Sequence, residues 1–251
     1  MKFLLSFLLV AGPCFAFAQT KNQSIPLDGI SAVHIYAAFS SVHVSSGGTD
    51  ALEVDHTFTV NGDDRPDLRR LTVERIDGVL HLREIKPTAK LLNREFPDKN
   101  GGMISGGREG GKGVFNGVTV DALLTVVVPR GIPVTVETKY GGIEVINVES
   151  LRSARAEYGP VKAVFTTVNP LAGIELYSNY GAVDITIPSG MGSDLELITK
   201  FGELLTNMDV RVDDRRSEEK DYFHRLVGSV GGGGKTIKCT APYGDVLLRE
   251  K

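Results

Sequence analysis

The chain has 251 residues and is close to electrical neutrality, with 28 Lys and Arg against 31 Asp and Glu and a formal net charge of −3. This balance provides no positive field for binding nucleic acid. Hydrophobic residues make up 41% of the sequence, enough for a long core. Beyond the N-terminal segment, no apolar run approaches the ~18–20 residues that a helix needs to cross a bilayer. We therefore expect neither a nucleic-acid partner nor a transmembrane segment in the mature chain.

Residues 1–18 have the organisation of a secretory signal peptide. Lys2 supplies the positive charge, residues 3–12 form a short apolar stretch, and residues 16–18 (AFA) match the A-x-A cleavage signal. The apolar stretch is too short to span a bilayer. These features predict an exported protein that begins near Gln19 and resides in the periplasm or at the cell surface.

Cleavage would leave Cys239 as the only cysteine, because Cys14 lies within the signal peptide. The mature protein then has no intramolecular disulfide, although export would permit one. Pro13 precedes Cys14 where a lipoprotein signal requires a small residue, so we do not expect lipid attachment. Cys239 alternates with Ile237 along an apolar segment, which favours a buried small hydrophobic residue over a reactive thiol.

The segment that follows predicts β-strands joined by turns. Apolar and polar residues alternate there, and period two is the strand signature because successive side chains point to opposite faces. Residues 38–41 (AFSS) separate two such stretches and are typical of an irregular corner, whereas residues 61–66 (NGDDRP) form a turn cluster. The alternating stretches are 30–36, 42–44, 52–60 and 71–82.

Two segments interrupt the alternating pattern. Residues 86–117 contain three pairs of adjacent glycines, and residues 209–234 are highly charged at 213–221 and end in four glycines. Such compositions bury too little apolar surface to offset the entropy of ordering the chain. We predict that both segments are long flexible insertions in a single domain, 19–251.

An aromatic residue followed by glycine recurs through the second half of the chain. Tyr140, Tyr158, Tyr180 and Phe201 are separated by 18, 22 and 21 residues, and Tyr243 follows 42 residues later, twice the period. Alternating apolar residues flank each aromatic residue, as in the sequence VTVETKYGGIEV. A unit of this length buries its apolar face only by stacking on its neighbours. We predict an all-β fold, a single-stranded, β-helix-like solenoid of about eight short coils, because a propeller blade needs about 40–45 residues.

The aromatic–glycine step predicts a corner between two strands. Glycine adopts positive φ without steric cost, which suits a corner. The ring can stack on its equivalent in the next coil, so Tyr180 is expected between Tyr158 and Phe201. The period-two spacing around the corners predicts six inward-facing residues: Val136, Val145, Leu176, Val183, Ile185 and Leu197.

Charged residues at equivalent positions of successive coils alternate in sign. Four residues after the aromatic residue, three coils carry Glu144, Lys162 and Asp184. Coils that stack in register about 4.8 Å apart turn such a column into a ladder of opposite charges. Each exposed pair contributes only about 0.2–1 kcal/mol, so the ladder favours register more than stability.

Residues 229–236 (SVGGGGKT) nearly match a phosphate-binding loop. Ser229 replaces the first glycine of the G-x-x-x-x-G-K-[ST] pattern. The segment also leads into a predicted strand, 236–240, where a phosphate-binding loop leads into a helix. We interpret it as the end of a flexible loop.

Histidines and carboxylates offer no convincing site in the sequence. His34, His43, His56 and His81 each lie within or beside an alternating stretch, and the alternation directs them away from the core. No His–Cys cluster has metal-ligand spacing. Clustered carboxylates would suit an enzyme that acts on polysaccharides, but those of the regular coils alternate with lysines, as on a solvated face. We therefore assign no catalytic, cofactor-binding or metal-binding residue, and the binding residues stay unknown.

The signal peptide, the repeated [YF]-G corner and the glycine-rich loop before IKCTAPYGDVLL together resemble a family of bacterial exported β-strand-repeat proteins described as putative adhesins. The resemblance is strongest over 118–251 and weaker over 30–82. It implies a β-repeat fold and an envelope location, and the family supplies no catalytic residues to carry over.

Three functional hypotheses remain from the sequence. The leading one is a non-enzymatic exported β-solenoid, without a cofactor, that presents a surface or loops to an envelope or surface ligand, either protein or glycan. The alternative is a β-helical enzyme acting on polysaccharide. A purely structural envelope protein is the third.

Overall fold

The protein is all-β within the residues that the structure describes, which confirms the fold class at that level. Two mixed sheets, A and B, contain twelve strands each, and neither closes on itself. The described part holds no helix that is both long and apolar enough to cross a membrane. In this computed structural model the described residues are 15–18, 22–48, 50–86, 105–106, 112–115 and 118–251.

Short strands account for most of the described residues, with a 3₁₀ turn at Pro66–Leu68. In chain order the strands are β1 (Phe15–Ala18), β2 (Asn22–Pro26), β3 (Ala32–Ala37), β4 (Ser41–Gly47), β5 (Ala51–Val60), β6 (Asp63–Asp64), β7 (Arg70–Ile76), β8 (Val79–Glu84), β9 (Ser105–Gly106), β10 (Lys112–Phe115), β11 (Val118–Pro129), β12 (Val134–Thr138), β13 (Ile143–Ile146), β14 (Leu151–Ala156), β15 (Val161–Val164), β16 (Ile174–Ser178), β17 (Val183–Ile187), β18 (Ser193–Thr199), β19 (Leu204–Thr206), β20 (Arg211–Val212), β21 (Glu218–Lys220), β22 (Phe223–Val230), β23 (Lys235–Ala241) and β24 (Val246–Glu250).

Consecutive strands alternate between the two sheets through most of the chain. β12 lies in sheet A and β13 in sheet B, and the pairs β3–β4, β14–β15, β16–β17, β18–β19 and β23–β24 repeat this arrangement. Neighbouring units pair in parallel, with Glu137 opposite Arg155 in sheet A and Glu144 opposite Lys162 in sheet B. β8 and β11 flank β3 and β4 in the same way, separated by residues 86–117. The described residues thus contain seven two-strand units.

The order of these units in space differs from their order in the chain. β23 lies between β16 and β18 in sheet A, and β24 lies between β17 and β19 in sheet B. The last unit of the chain is therefore inserted between two earlier ones. Tyr180 contacts Tyr243 as a result, and its predicted contact with Phe201 is wrong. Since all units offer similar strand edges, the sequence period carries no information about which units become neighbours.

Antiparallel strands flank the parallel middle of the molecule. At one end β7 pairs with β8 in sheet A and β5 pairs with β11 in sheet B. At the other end β22 pairs with β18, while sheet B ends in the three-residue strand β19. Terminal units of a stacked array need such covers, because a bare strand edge is a template for pairing with other chains.

The second predicted insertion, 209–234, consists largely of strands. β22 pairs with β18 from Ser193 opposite Val230 to Thr199 opposite His224, and both β20 and β21 pair with β22. The segment is therefore not the irregular loop that its composition predicted. Its backbone is ordered by hydrogen bonds to β18, and burial of Val227 and Val230 adds an apolar contribution.

Two other predicted segments lie mostly outside the described residues. Within 86–117, β9 and β10 pair with each other, and β10 pairs with β11. Of the predicted signal peptide, residues 15–18 form β1, which pairs antiparallel with β7. Cleavage after Ala18 stays a prediction, and it would remove β1 from the edge of sheet A.

The core lies between the two sheets and runs the length of the stack. Burial of Cys239 raises the pKa of its thiol, as expected for a residue in an apolar interior. The six residues predicted to face inward are all buried, with exposed fractions of 0–1%: Val136, Val145, Leu176, Val183, Ile185 and Leu197.

Candidate functional site

The regular corners bring the backbones of neighbouring units into contact through their glycines. A Cβ atom on Gly181 would lie 2.6 Å from the carbonyl oxygen of Gly159, and one on Gly244 would overlap the carbonyl oxygen of Gly181. Gly202 packs in the same way on Gly244. The corner glycines are not among the residues with positive φ, so the prediction of positive φ is wrong. Glycine is needed here because the units approach too closely for a side chain.

Buried hydroxyl groups link alternate corners. Ser178 accepts a hydrogen bond from the backbone N–H of Gly181 at 2.8 Å and donates one to the carbonyl oxygen of Gly159 at 2.7 Å. Thr138 and Thr199 make the equivalent bonds in their own units. The intervening units carry alanine at this position. Each hydroxyl satisfies a donor and an acceptor that would otherwise be buried without a partner.

The aromatic residues of the corners form a continuous stack on the surface, which we call the aromatic ladder. Neighbouring ring centroids are 5.1–5.3 Å apart, and the ring planes differ by 4–15°, within the range of stacked pairs. Tyr180 is 52% exposed even though rings cover both of its faces. The exposed parts are therefore ring edges and hydroxyl groups. In spatial order the ladder consists of Tyr140, Tyr158, Tyr180, Tyr243 and Phe201.

Other side chains cover both ends of the aromatic ladder. The ammonium groups of Lys86 and Lys139 lie 5.3 and 5.5 Å from the ring centroid of Tyr140, within the range of cation–π attraction. At the opposite end, the ring of Tyr222 is tilted against Phe201 at 5.6 Å. The inner rings thus have neither face available to a ligand.

A row of outward-facing charged residues, the charged row, runs parallel to the aromatic ladder on sheet B. Glu144, Lys162 and Asp184 are direct cross-strand neighbours, as predicted, and His43 precedes them. Lys162 Nζ lies 2.9 Å from Glu144 Oε1, and Arg249 contacts Asp184 at 3.2 Å. The hydrogen bond and the charge of Glu144 raise the pKa of Lys162. Charges of both signs are therefore held at regular intervals.

The aromatic ladder and the charged row enclose an elongated groove of about 840 Å³, which we call the trough. Its lining extends from Leu123 on β11, across β4, β13, β15 and β17, to Leu247 on β24. At the strand spacing of about 4.8 Å, six strands extend over about 24 Å. The trough therefore crosses the strands and follows the stacking direction of the units.

A buried polar cluster lies at the irregular corner of residues 38–41, between β3 and β4, which we call the N-terminal corner. The hydroxyl of Ser40 donates to Glu84 Oε1 at 2.6 Å, and the Nε2 atom of His56 lies 3.1 Å from the hydroxyl and 3.3 Å from the carboxylate. The other carboxylate oxygen accepts the backbone N–H groups of Phe39 and Ser40. Burial alone would raise the pKa of Glu84, but the hydrogen bond and charge of His56 and the hydrogen bonds from Ser40 outweigh it and lower the pKa.

The buried cluster has the residue types of a Ser–His–Glu triad without its geometry. In a triad the histidine faces serine with one ring nitrogen and the carboxylate with the other. Here Nε2 of His56 faces both partners, and its Nδ1 atom has no hydrogen-bond partner among the described residues. Ser40, His56 and Glu84 are at most 2% exposed, so a substrate has no access. We interpret the cluster as structural.

The four histidines, which were all predicted to face solvent, lie in three different environments. His34 and His81 are neighbours on the outer face of sheet A, with ring centroids 5.4 Å apart, and His43 lines the trough. His56 is buried, so the prediction that it faces solvent is wrong. It shares a face of β5 with Phe58, and that phase was visible in the sequence. The described residues contain no group of three His, Cys, Asp or Glu side chains that could hold a metal ion.

The glycine-rich segment 229–236 joins β22 to β23 without a helix. Lys235 donates a hydrogen bond to the carbonyl oxygen of Pro170 at 2.8 Å. Gly231 and the three glycines after it have positive φ, as in a tight connection. The segment therefore lacks the helix N-terminus that a phosphate-binding loop requires.

Comparison with known proteins supports the fold. The chain is similar to the crystal structure of a putative cell adhesion protein from Clostridium sporogenes, with a TM-score of 0.62 and 11% identity over 95% of this chain and 100% of that one. A putative adhesin from Bacteroides fragilis aligns with 12% identity over 96% and 98% of the two chains, but its TM-score of 0.31 supports no argument. No protein-family model matches the chain, and no curated protein matches its sequence. At such identities, the first likeness shows the fold alone.

Proposed function

We propose that this protein is a non-enzymatic, exported β-solenoid of the bacterial envelope that binds a surface ligand, as an adhesin does, and that the trough is its binding surface. The observation that carries the proposal is the trough itself, an open groove across six strands with a wall of half-exposed rings and a floor of regularly spaced charges. The similarly folded protein named as a putative cell adhesion protein supports the same class of function.

The alternation of strands between two open sheets supports the solenoid description. Each unit contributes one strand to each sheet and pairs in parallel with its neighbours, as successive coils of a solenoid do. The antiparallel strands at the ends then act as caps, and seven coils take the place of the eight predicted. Mass spectrometry of the exported protein tests the accompanying proposal that the mature chain begins at Gln19.

The composition of the aromatic ladder favours recognition over a purely structural role. A ladder that only joined coil to coil would gain most by burying its rings, since burial of apolar area is the main source of stabilisation. Four of the five residues, Tyr158, Tyr180, Tyr243 and Phe201, are instead 48–58% exposed, and three of these four carry a hydroxyl group. Tyrosine edges combine apolar surface with a group that both donates and accepts hydrogen bonds.

The alternative hypothesis of a β-helical enzyme has less support. Hydrolysis of a glycosidic bond uses two carboxyl groups placed on either side of that bond. In the trough Glu144 is paired with Lys162 and Asp184 with Arg249, and Lys162 lies between the two carboxylates. This arrangement is that of an ion-pair ladder. The third carboxylate of the lining, Asp245, accepts the backbone N–H of Glu203 at 2.9 Å.

Binding of the fluorescently labelled mature protein to intact bacterial cells tests the proposed function. The combined variant Tyr158→Phe, Tyr180→Phe, Tyr243→Phe removes three hydroxyl groups from the trough and keeps every ring in the stack. Tyr36→Phe removes a hydroxyl group from the outer face of sheet A, where Arg83 covers the ring, and is the matched control.

We expect saturable binding that the combined variant weakens at least tenfold and that the control leaves unchanged. Equal binding by the native protein and the combined variant would remove the trough as the binding surface. Absence of saturable binding to any cell surface would instead favour a purely structural protein.

A further inference from the structure

We propose that the trough binds a linear, uncharged polysaccharide lying along the stacking direction, with one sugar residue for each coil. This inference rests on the proposed function, because it names the ligand class of the same surface. It follows from three properties of the trough: its direction, its period and its charge pattern.

The direction of the trough excludes recognition by strand addition. Pairing of a peptide with a sheet requires free backbone groups along a strand edge that runs parallel to the peptide. The trough crosses its strands instead, and the backbone groups of β13, β15 and β17 are used in their own parallel ladders. A ligand in the trough is therefore not bound as an added strand.

The period of the trough matches a chain of pyranose sugars. Its ring centroids repeat every 5.1–5.3 Å, and an extended, equatorially linked glycan advances by nearly the same distance per sugar. An extended peptide advances by about 3.3 Å per residue, so its side chains lose register with the coils within a few residues. Only a ligand that repeats with the coils makes the same contact at each of them.

The charge pattern of the trough favours an uncharged ligand that carries many hydroxyl groups. Glu144 and Asp184 alternate with Lys162, and His43 continues the row. A polyanion would meet the three carboxylates of the lining, Glu144, Asp184 and Asp245, and a polycation would meet the ammonium group of Lys162 between Glu144 and Asp184. Hydroxyl groups, which donate and accept, can pair with charges of either sign and with tyrosine hydroxyls.

The aromatic ladder contributes to this site in a restricted way. Stacking of a sugar on a ring face is blocked, because each inner ring is covered on both sides by its neighbours. The ring edges of Tyr158, Tyr180 and Tyr243 provide an apolar wall, and their hydroxyl groups provide one hydrogen-bonding group per coil. Shape and regular hydrogen bonding therefore determine specificity.

Isothermal titration calorimetry with oligosaccharides of increasing length tests the inference. The probes are neutral β-1,4-linked series of glucose, xylose and mannose, whose sugars all carry a vicinal diol, from two to eight sugars, with oligogalacturonides as the anionic series. We expect one neutral series to bind with an affinity that rises at each added sugar and levels off at about six, the number of strands crossed. The anionic series should bind at least tenfold more weakly.

The variants described above connect binding to the trough. The combined Tyr158→Phe, Tyr180→Phe, Tyr243→Phe variant should lose at least tenfold in affinity for the longest neutral oligomer, and Tyr36→Phe should lose none. Binding that does not depend on length, stronger binding of the anionic series, or full affinity of the combined variant would each overturn the inference.

The cell-binding assay separates failure of this inference from failure of the proposed function. Periodate oxidation of the cells destroys vicinal diols of glycans, whereas protease treatment removes surface proteins. The inference requires loss of binding after periodate and retention after protease. The opposite result, together with weaker binding by the combined variant, would keep the trough as a binding surface and identify its ligand as a protein. If the combined variant bound cells as well as the native protein does, the trough would not be the binding surface and the proposed function would be refuted.

Discussion

The regular corners and the N-terminal corner join the two sheets by different means. At the regular corners of Tyr158, Tyr180, Tyr243 and Phe201 the aromatic N–H donates to a carbonyl oxygen of the neighbouring unit, and the ring stays on the surface. The bond from Tyr158 to Lys139, for example, is 3.0 Å long. At the N-terminal corner Phe39 turns inward and stacks on Phe58 with a centroid distance of 5.6 Å. Its N–H donates to the carboxylate of Glu84.

The difference shows that a corner needs a hydrogen-bond acceptor from its neighbour for the N–H of its aromatic residue. The regular corners of Tyr158, Tyr180, Tyr243 and Phe201 each lie against another regular corner, which supplies a carbonyl oxygen for the aromatic N–H. Beside the N-terminal corner the chain leaves the stack after β8, and Glu84, the last residue of β8, supplies the acceptor. A buried carboxylate needs compensation, which His56 and Ser40 provide. Of the two kinds of corner, we therefore expect only the N-terminal one to make stability depend on pH.

The largest expected effect is at Glu84. Glu84→Gln keeps the shape of the side chain but removes the charge of a carboxylate that accepts three hydrogen bonds from Phe39 and Ser40. Losing two such bonds to a buried charged group costs about 3–6 kcal/mol in unfolding free energy. Urea unfolding at neutral pH measures the change. Asp28→Asn, at an exposed position, is the control and should stay within about 0.5 kcal/mol of the native protein. A cost below about 1 kcal/mol for Glu84→Gln would show that the N-terminal corner is held by packing alone.

The same carboxylate predicts how stability varies with pH. The pKa of Glu84 is lower in the folded protein than its ordinary value of 4.5. A group with a lowered pKa stabilises the fold at pH values above its unfolded pKa, and this stabilisation is lost as the pH falls through the folded pKa. Unfolding free energy should therefore fall below about pH 4.5. The fall should be shallower in Glu84→Gln, and an unchanged acid limb would contradict the assignment.

The next largest loss of unfolding free energy is expected where regular corners are in close contact. Gly181→Val places a Cβ atom 2.6 Å from the carbonyl oxygen of Gly159, and the backbone has no room to move without shifting the neighbouring unit. We expect a loss of about 3 kcal/mol in unfolding free energy, at the upper end for overpacking. Gly48→Ala is the matched control, because a Cβ atom there meets nothing within 4 Å. Equal melting temperatures for the two variants would show that the corners do not pack as described.

The loss of unfolding free energy on removing a ring of the aromatic ladder should depend on the position of that ring in the ladder. Tyr180 stacks on Tyr158 and Tyr243, and each aromatic pair is worth about 0.5–1.5 kcal/mol, so Tyr180→Ala should cost about 1–3 kcal/mol. Tyr140→Ala removes one such pair and should cost about half as much. Thermal unfolding of both variants compares them. A larger cost at Tyr140 would indicate that the lysines above it matter more than stacking.

The smallest expected effect is in the charged row. Lys162→Ala removes an exposed ion pair with Glu144, and such pairs contribute about 0.2–1 kcal/mol. Chemical unfolding in low and high salt should show that this small difference disappears as the salt concentration rises. A cost above about 2 kcal/mol, or one that salt does not reduce, would mean that the charged row sets the stability of the stack as well as its register.

Some predictions from the sequence are wrong although the sequence contains a signal for the observed structure. His56 falls in phase with the buried face of β5, whereas the prediction that it faces solvent rests on the polar character of histidine alone. The charge of 209–234 suggested a loop, yet the run Phe223–Val230 has β-branched and aromatic residues that suit a strand beside β18. Glycine is needed at the corners, as predicted, but because neighbouring units are in close contact there and not because the backbone has positive φ.

Period two along each strand predicts the strands of the two-strand units and their inward-facing residues. The repeat predicts the cross-strand order of Glu144, Lys162 and Asp184, because their units are consecutive in both chain and space. Alternation is a property of chain neighbours, because the pleat alone places successive side chains on opposite faces.

Long-range pairing, by contrast, sets which units lie side by side at the other end of the stack. Tyr180 meets Tyr243 rather than Phe201, because β23 and β24 enter between units formed earlier in the chain. β18 pairs with β22 along one edge and with β23 along the other, so the last unit of the chain occupies the edge of β18 on the side of β16. The trough, whose wall includes this inserted corner, is a product of long-range pairing that no local pattern in the sequence specifies.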